Sequence, residues 1–246
     1  MKQFVCLSGL PRSGSTLLSA ILHQNPEIHA EGNSAVCQLM WDLSQSCETS
    51  AREQLAANNR HLTAYELVSA VPNIYYRNTT RPVIVDKCRS WTLPANQDLL
   101  RRYVTDTPKT IVLTRPIDEI TDSFVKLYER NGKTFDVAAL MREDSEPLMR
   151  SLRGVEWAMH VNSGEFLFVS YSELVDQTNS VLDRIYAFIG RARFAHDLTN
   201  ISVESPEDDS VYGLIGMHEV RSTITPSDIY CDSQKSISLN AKEDAE

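Results

Sequence analysis

The sequence predicts an α/β protein: a single domain of three α/β/α layers, in which helices cover both faces of a central parallel sheet. Short apolar runs rich in β-branched residues alternate along the chain with longer stretches of helical periodicity. Several of these runs are apolar throughout, as strands buried on both faces are. The chain has 246 residues, enough for one full core, and its sequence contains no repeat or linker between two cores.

The first predicted strand, Phe4 to Leu7, leads through a glycine turn into an amphipathic helix. One face of that helix is apolar, and its members are Leu17, Leu18, Ile21 and Leu22. A strand, a glycine turn and a helix in this order favour anion binding, because backbone N–H groups and the helix dipole both face the turn.

The glycine turn has the layout of a phosphate-binding loop with one change. Gly9 and Gly14 have the offset of the pattern G-x-x-x-x-G-K-[ST], but Ser15 stands in place of the lysine and Thr16 follows it. In ATP and GTP hydrolases that lysine reaches the β- and γ-phosphates. The cation here is Arg12, inside the loop. The P-loop-like pattern therefore predicts a nucleotide that is bound but not cleaved between its β- and γ-phosphates.

A second short strand is predicted at Pro82 to Asp86, and Lys87 follows directly at its end. Residues 34–78, which precede it, contain no clear strand and are predicted to form helices outside the βαβ units. Open α/β sheets bind ligands at the carboxyl ends of their strands. Lys87 and Arg12 are therefore expected to converge on one anion with Arg115, which follows a further predicted strand. The alternative is a solvated lysine beside Asp86.

The next predicted strand, Lys109 to Thr114, places Arg115 at its end, and Ser123 follows eight residues later. A guanidinium fork together with a hydroxyl group can bind a phosphate. The alternative is a surface arginine paired with an acidic residue of the following helix, Asp118 or Glu119.

The remaining elements complete the alternation of strands and helices. Pro116 is predicted at the first position of a helix whose buried stripe is Ile117, Ile120, Phe124, Leu127 and Tyr128. Residues 134–162 are predicted to be helical, and residues 204–209 are predicted to be a loop. Glu165 to Ser170 is predicted to be a strand that is followed by Tyr171, and a last core helix ends near Gly190. Its apolar residues are Val181, Leu182, Ile185, Phe188 and Ile189.

The string Pro-Arg-Ser-Gly-Ser-Thr-Leu-Leu, residues 11–18, resembles the 5′-phosphosulfate-binding loop of sulfotransferases. These enzymes use 3′-phosphoadenosine 5′-phosphosulfate (PAPS) as donor. Arg115 with Ser123 resembles the family's 3′-phosphate site, and Lys87 after its strand is most similar to the tyrosylprotein branch. The string Val-Ser-Tyr-Ser-Glu-Leu, residues 169–174, resembles the segment ahead of the family's last core helix.

The resemblance implies transfer of a sulfuryl group from PAPS to an acceptor hydroxyl, with 3′-phosphoadenosine 5′-phosphate (PAP) as the other product. It implies that Lys87 and Arg12 stabilise charge on the transferring group. The donor-binding residues that it implies are Arg12, Ser13, Gly14, Ser15, Thr16, Arg115, Ser123 and Tyr171, with Tyr171 near the adenine. The segment from Gly213 to Arg221 is expected to fold over the donor and to bring Arg221 near a phosphate.

Three residues are candidates for the general base of this reaction. In the tyrosylprotein enzymes a glutamate lies at a fixed offset from the loop arginine, and at that offset this chain has Asn33. Glu31, two residues earlier, is the preferred candidate because it lies where the second strand should end. His29 and His218 are the alternatives, and a structural or surface role is the competing interpretation of each histidine.

Composition excludes several classes of function. The net charge is −9 and the pI about 5.2, which argues against broad nucleic-acid binding. No apolar run reaches the roughly 18 residues of a membrane span. Five scattered cysteines without a C-x-x-C pattern indicate free thiols in a reducing cytoplasm. The six histidines show no metal-ligand spacing, so no metal is expected, and sulfuryl transfer does not require one.

We expect a sulfotransferase domain over residues 1–232, a polar tail over residues 233–246, and a cytoplasmic protein. The acceptor stays open between a phenol or tyrosine, a sugar and an alkyl alcohol. The oligomeric state is also open, with a homodimer as one option. Two alternative functions remain: a P-loop kinase of nucleosides or other small molecules, which would need a lysine in the loop, and a nucleotide-binding protein without catalytic activity.

Overall fold

The computed structural model describes residues 2–142, 146–161 and 163–224. Their central feature is a single sheet of five parallel strands in the order β2-β3-β1-β4-β5. The strands are β1 (Gln3–Gly9), β2 (Ile28–Asn33), β3 (Val83–Lys87), β4 (Thr110–Thr114) and β5 (Phe166–Ser170). The predicted α/β class and parallel sheet are confirmed.

The strand register explains why the site forms at one edge of the sheet. Leu7 of β1 pairs with Lys87 of β3, and Gly9 of β1 pairs with Leu113 of β4. Asn33 at the end of β2 also pairs with Lys87, after an irregularity in the register. The loops that leave β1, β2, β3 and β4 therefore start side by side.

Helices cover both faces of this sheet. They are α1 (Ser15–His23), α2 (Val36–Glu48), α3 (Arg52–Ala57), α4 (His61–Tyr75), α5 (Pro94–Tyr103), α6 (Ile117–Arg130), α7 (Val137–Leu140), α8 (Met149–Val161), α9 (Tyr171–Asp176) and α10 (Thr178–Ile189). One apolar core joins the strands to α1 and α10, and two further cores join them to α2, α4 and α5 and to α6 and α8. The three-layer arrangement is thus the observed one.

The structure refines several boundaries. Pro116 precedes α6 as its N-cap instead of occupying the first helical position, and Ile117 begins the helix. Residues 34–78 contain α2, α3 and α4, as predicted, and Gly190 ends α10 in a left-handed conformation. A 3₁₀ turn (Asp209–Tyr212) begins inside the predicted 204–209 loop. Cys231 and the proposed 233–246 tail lie outside the described residues, within which no helix has the length and apolarity to span a bilayer.

Candidate active site

The loop after β1 adopts a conformation that depends on its glycines. Gly9 has a φ of 126°, and a Cβ added there would lie 2.0 Å from the Leu113 carbonyl oxygen of the neighbouring strand. Gly14 has a φ of 90° and precedes α1 as its N-cap. Only glycine enters these conformations without strain. The loop can therefore turn sharply and present the first N–H groups of α1, those of Ser15 and Thr16, toward the end of the sheet.

Arg12 and Ser123 meet at the centre of the predicted donor site. The guanidinium Nε of Arg12 donates to the Ser123 hydroxyl across 3.1 Å, although the two residues lie on different elements. Arg115 donates from Nη1 to the Arg12 carbonyl oxygen across 3.0 Å. Burial lowers the pKa of Arg12, and the nearby positive charge of Arg115 lowers it further. An anion between these residues would relieve that repulsion.

Arg115 also stacks on an aromatic ring. Its guanidinium carbon lies 4.2 Å from the centroid of the Tyr171 ring, and its Nε donates to Glu119 across 2.9 Å. The Tyr171 ring in turn packs against Gly14, where an added Cβ would approach the ring to 2.9 Å. The two predicted phosphate sites are therefore joined through Tyr171. The ion pair between Arg115 and Glu119, which the sequence offered as the alternative, is present as well.

Lys87 is buried and holds two partners at the end of β3. Its side chain is 3% exposed, and its ammonium donates to Thr16 across 3.3 Å and to Glu207 across 3.0 Å. Burial lowers the pKa of Lys87, and Glu207 opposes that shift. Burial alone would raise the pKa of Glu207, but the charge of Lys87 and the hydrogen bond from it hold that pKa below its usual range.

The preceding residue, Asp86, anchors the site to the rest of the fold. Its buried carboxylate accepts hydrogen bonds from Ser34 (2.5 Å), Tyr76 (2.7 Å) and Trp91 (2.6 Å). Burial raises the pKa of Asp86, and the three hydrogen bonds oppose that rise. The carboxylate therefore holds three segments around Lys87: the residues just before α2, the end of α4 and the turn after β3.

A cluster of polar side chains closes the site from the late part of the chain. His218 Nδ1 lies 2.6 Å from the Asp209 carboxylate, and His218 Nε2 lies 3.2 Å from the Asn33 amide nitrogen. The same amide nitrogen donates to Glu207 across 3.0 Å. A carboxylate only accepts hydrogen bonds, so Nδ1 carries the proton that faces Asp209. An amide nitrogen only donates, so Nε2 presents its lone pair to Asn33. Asp209 and Asn33 therefore hold His218 in the tautomer of a general base.

Glu207 and Asp209 were missed by sequence reasoning, which assigned their segment only as a loop. The available signal was the acidic run Glu-Asp-Asp, residues 207–209, shortly before the segment expected to cover the donor. That segment does lie on the loop after β1, since the Met217 carbonyl accepts a hydrogen bond from Arg12. Asn131 at the end of α6 holds it at two points, accepting from Ile215 N–H (2.7 Å) and donating to the Ile215 carbonyl (3.0 Å).

Glu31, the preferred base candidate, has a different neighbourhood. Its carboxylate lies 3.5 Å from His29, and both residues lie with His23 in a group whose ligand atoms are within 4.8 Å of one another. His23 Nδ1 accepts the Ala30 N–H at 3.1 Å, so its Nε2 carries the proton that it donates to Glu204 at 2.7 Å. This proton blocks the nitrogen that would face a metal ion. Histidine spacing in the sequence did not reveal this cluster.

The remaining predicted residues have defined places. Ser13 is fully buried, and its hydroxyl donates to the Leu10 carbonyl at 2.6 Å, so this hydroxyl shapes the loop. Arg221 is exposed at the end of the covering segment, and its proximity to a phosphate stays a prediction. The contacts form two networks at the end of the sheet. The first joins Arg12, Arg115, Ser123, Tyr171 and Met217. The second joins Lys87, Thr16 and Glu207.

Comparison with known proteins adds a family to this geometry. A family model described as "Sulfotransferase family" matches residues 5–195. No curated protein sequence matches the chain. A solved sulfotransferase domain from the Synechococcus PCC 7002 olefin synthase is 23% identical and covers 98% of this chain and 90% of that chain, with a TM-score of 0.59.

Two further solved structures have the same fold. A sulfotransferase domain from the curacin biosynthetic pathway is 16% identical, covers 92% of this chain and 89% of that chain, and has a TM-score of 0.57. A sulfotransferase from Alicyclobacillus acidocaldarius is 12% identical, covers 87% of this chain and 89% of that chain, and has a TM-score of 0.54. These likenesses concern the fold, while the family match covers most of the sequence.

Proposed function

The chain belongs to the sulfotransferase family, and on that premise we propose that it transfers the sulfuryl group of PAPS to an acceptor hydroxyl. One observation carries the choice of donor. Arg12, Arg115 and Ser123 meet at the carboxyl end of the sheet through hydrogen bonds of 3.1 and 3.0 Å. A 3′-phosphate distinguishes PAPS from ordinary adenine nucleotides, and a guanidinium with a neighbouring hydroxyl suits such a group.

The donor set fits PAPS in charge as well as in shape. The loop from Arg12 to Thr16 offers backbone N–H groups at a helix start for the 5′-phosphate. Arg115 and Ser123 would hold the 3′-phosphate. Tyr171, stacked on Arg115, would lie near the adenine. PAPS supplies a sulfuryl group on a good leaving group, so the protein needs to provide position and charge stabilisation.

Lys87 and the loop are proposed to stabilise charge during transfer. The Lys87 ammonium is the buried cation nearest to Thr16 in the loop, at 3.3 Å. The acceptor oxygen forms the new bond to sulfur while the bond between sulfur and the phosphate oxygen breaks. Lys87 would stabilise the growing charge on the bridging oxygen, and Arg12 would share that charge.

His218 is the base that the geometry supports best, in preference to Glu31. Its Nε2 presents a lone pair because Asp209 holds Nδ1–H at 2.6 Å. This is the arrangement by which a carboxylate orients a histidine base in hydrolases. The acceptor hydroxyl would replace the Asn33 amide as the donor to Nε2 and would pass its proton there as the sulfate ester forms. Asn33, at the position of the family's glutamate, would then position the base.

The kinase alternative is not favoured. Ser15 occupies the position where a kinase loop has its lysine, and the family match is to sulfotransferases.

Calorimetric titration with PAP, AMP and ATP, without added metal, tests the donor assignment. Preference for PAP of about 100-fold over AMP is expected, because a guanidinium–phosphate pair contributes roughly 3 kcal/mol. Equal affinities for PAP and AMP would contradict the 3′-phosphate site and therefore the assignment of PAPS as the donor. Transfer of labelled sulfate from PAPS to any hydroxyl compound then tests the activity itself.

A further inference from the structure

A cavity of about 470 Å³, largely open to solvent, lies beside the site, between the edge strand β2 and the end of α4. The described residues that line it all carry polar groups, and four of them also present aromatic rings: His23, His29, Tyr75 and Tyr76. The other lining residues include Glu31, Glu204, Arg81, Thr80 and Asn78. A cavity of this size accommodates a ligand of one or two sugar rings.

A second, small cavity shares lining residues with this space and is also lined by the proposed base. It has a volume of about 20 Å³, which is room for a single water-sized group. Thr16, Glu207 and His218 line it on the donor side, and Glu31, His23 and Glu204 line both cavities. A ligand in the larger cavity would therefore lie against residues that also border the space beside His218.

The charges of the larger cavity discriminate between classes of acceptor. The carboxylates of Glu31 and Glu204 are 41% and 69% exposed. Arg81 is partly neutralised by Glu204 at 3.7 Å and donates to the carbonyl oxygens of His23 and Ile28, both at 2.7 Å. An acidic acceptor, such as a tyrosine flanked by carboxylates, would meet like charge at this entrance.

The polar lining also opposes an apolar acceptor. An alkyl chain would displace water from carboxylate, hydroxyl and amide groups and leave them without partners, which costs free energy, and a phenol has a single hydroxyl group to offer them. A polyhydroxylated ligand supplies donors and acceptors in turn and satisfies the same groups.

Resting on the proposed function, we propose that the larger cavity binds the acceptor and that the acceptor is a neutral or amino sugar. Its reacting hydroxyl enters the small cavity beside His218. Glu31 accepts hydrogen bonds from the sugar and thereby sets its orientation, so that Glu31 contributes to acceptor binding and not to proton transfer.

Saturation-transfer NMR on the PAP-bound protein tests this with four probes: cellobiose, glucosamine disaccharide, 4-nitrophenol and an acidic tyrosyl peptide. Saturation of one or both sugars is expected, with at least tenfold weaker binding of the phenol and the peptide. Glu31→Gln should weaken sugar binding about tenfold. A matched control is Glu66→Gln, on the exposed surface of α4, which should leave sugar binding unchanged.

The two proposals fail in different ways. Absence of PAP binding overturns the proposed donor and therefore the function. Normal PAP binding with no saturation of either sugar, or with stronger binding of the phenol or the acidic peptide, overturns the sugar assignment alone. Unchanged sugar binding in Glu31→Gln overturns the role of Glu31.

Discussion

The ammonium of Lys87 lies 3.0 Å from the carboxylate of Glu207, although the two residues are 120 positions apart in the chain. The Glu207 side chain packs on Gly32, where an added Cβ would approach it to 2.5 Å, and accepts the Asn33 N–H at 3.0 Å. A carboxylate thus lies where the family resemblance expects the anionic transferring group to meet Lys87. If Lys87 contacts the transferring group as proposed, donor binding and Glu207 would compete for the same cation.

Replacing Glu207 by glutamine should reveal this competition. Lys87 is buried, so losing its partner leaves an uncompensated charge, and we expect the free energy of unfolding to fall by about 3 kcal/mol. PAP should then raise the melting temperature of Glu207→Gln more than that of the wild type. Urea denaturation and thermal melts with and without PAP measure both effects. Glu48→Gln, which breaks an exposed pair with Arg102, should change stability by less than about 0.5 kcal/mol.

The same pair predicts a dependence of stability on pH. The pKa of Glu207 is lowered in the folded protein, so its contribution to stability is present above its unfolded pKa of about 4.3 and is lost as pH falls through the folded value. The difference in unfolding free energy between wild type and Glu207→Gln should therefore be large at pH 7 and shrink below about pH 4. Urea denaturation of both proteins at several pH values measures it, and a constant difference would contradict the pair's role.

Arg115→Ala tests the 3′-phosphate site. We expect PAP affinity to fall about 100-fold and AMP affinity to change little, because AMP has no 3′-phosphate. Part of any AMP loss would come from Tyr171, which the Arg115 guanidinium holds at 4.2 Å. Arg52→Ala, on the exposed surface of α3, is the matched control for removing a positive charge. Equal losses for PAP and AMP would place Arg115 outside the phosphate site.

The grouping of three basic residues at one edge of the sheet was predictable from sequence because each of them lies at the end of a strand or just after it. Arg12, Lys87 and Arg115 come at or just after β1, β3 and β4, and parallel strands bring such residues to one edge. The contacts of Glu207 and His218 with the site were not predictable in this way, since both residues lie in a segment without helical or strand periodicity. His218 meets Asn33 across 185 residues, and only tertiary packing determines that meeting.

Asp209→Asn separates the orienting role of Asp209 from donor binding. An asparagine can present an amide N–H to Nδ1 and so favour the tautomer in which Nε2 carries the proton and cannot accept one. We expect kcat to fall by about 100- to 10,000-fold while PAP affinity stays within about threefold. His218→Gln should lower kcat to a similar extent. Normal turnover in both variants would show that His218 is not the base and would leave Glu31 and His29 as the candidates.

Asp86→Asn tests whether the buried carboxylate organises the site as an anion. Asp86 accepts three hydrogen bonds, from Ser34, Tyr76 and Trp91. Because an asparagine amide nitrogen would face one of these donors, we expect the free energy of unfolding to fall by about 3 kcal/mol, and turnover to fall with it as Lys87 shifts.

Tyr76→Phe removes a single donor to Asp86 and should cost about 1 kcal/mol, which makes it the graded control for Asp86→Asn. Burial raises the pKa of Asp86 and the three hydrogen bonds oppose that rise, so removing the Tyr76 donor should raise this pKa further. Urea denaturation of the two variants measures which of them loses more free energy of unfolding. If Asp86→Asn is as stable as the wild type, Asp86 is protonated in the folded protein, because asparagine mimics a neutral carboxyl group with one donating and one accepting side.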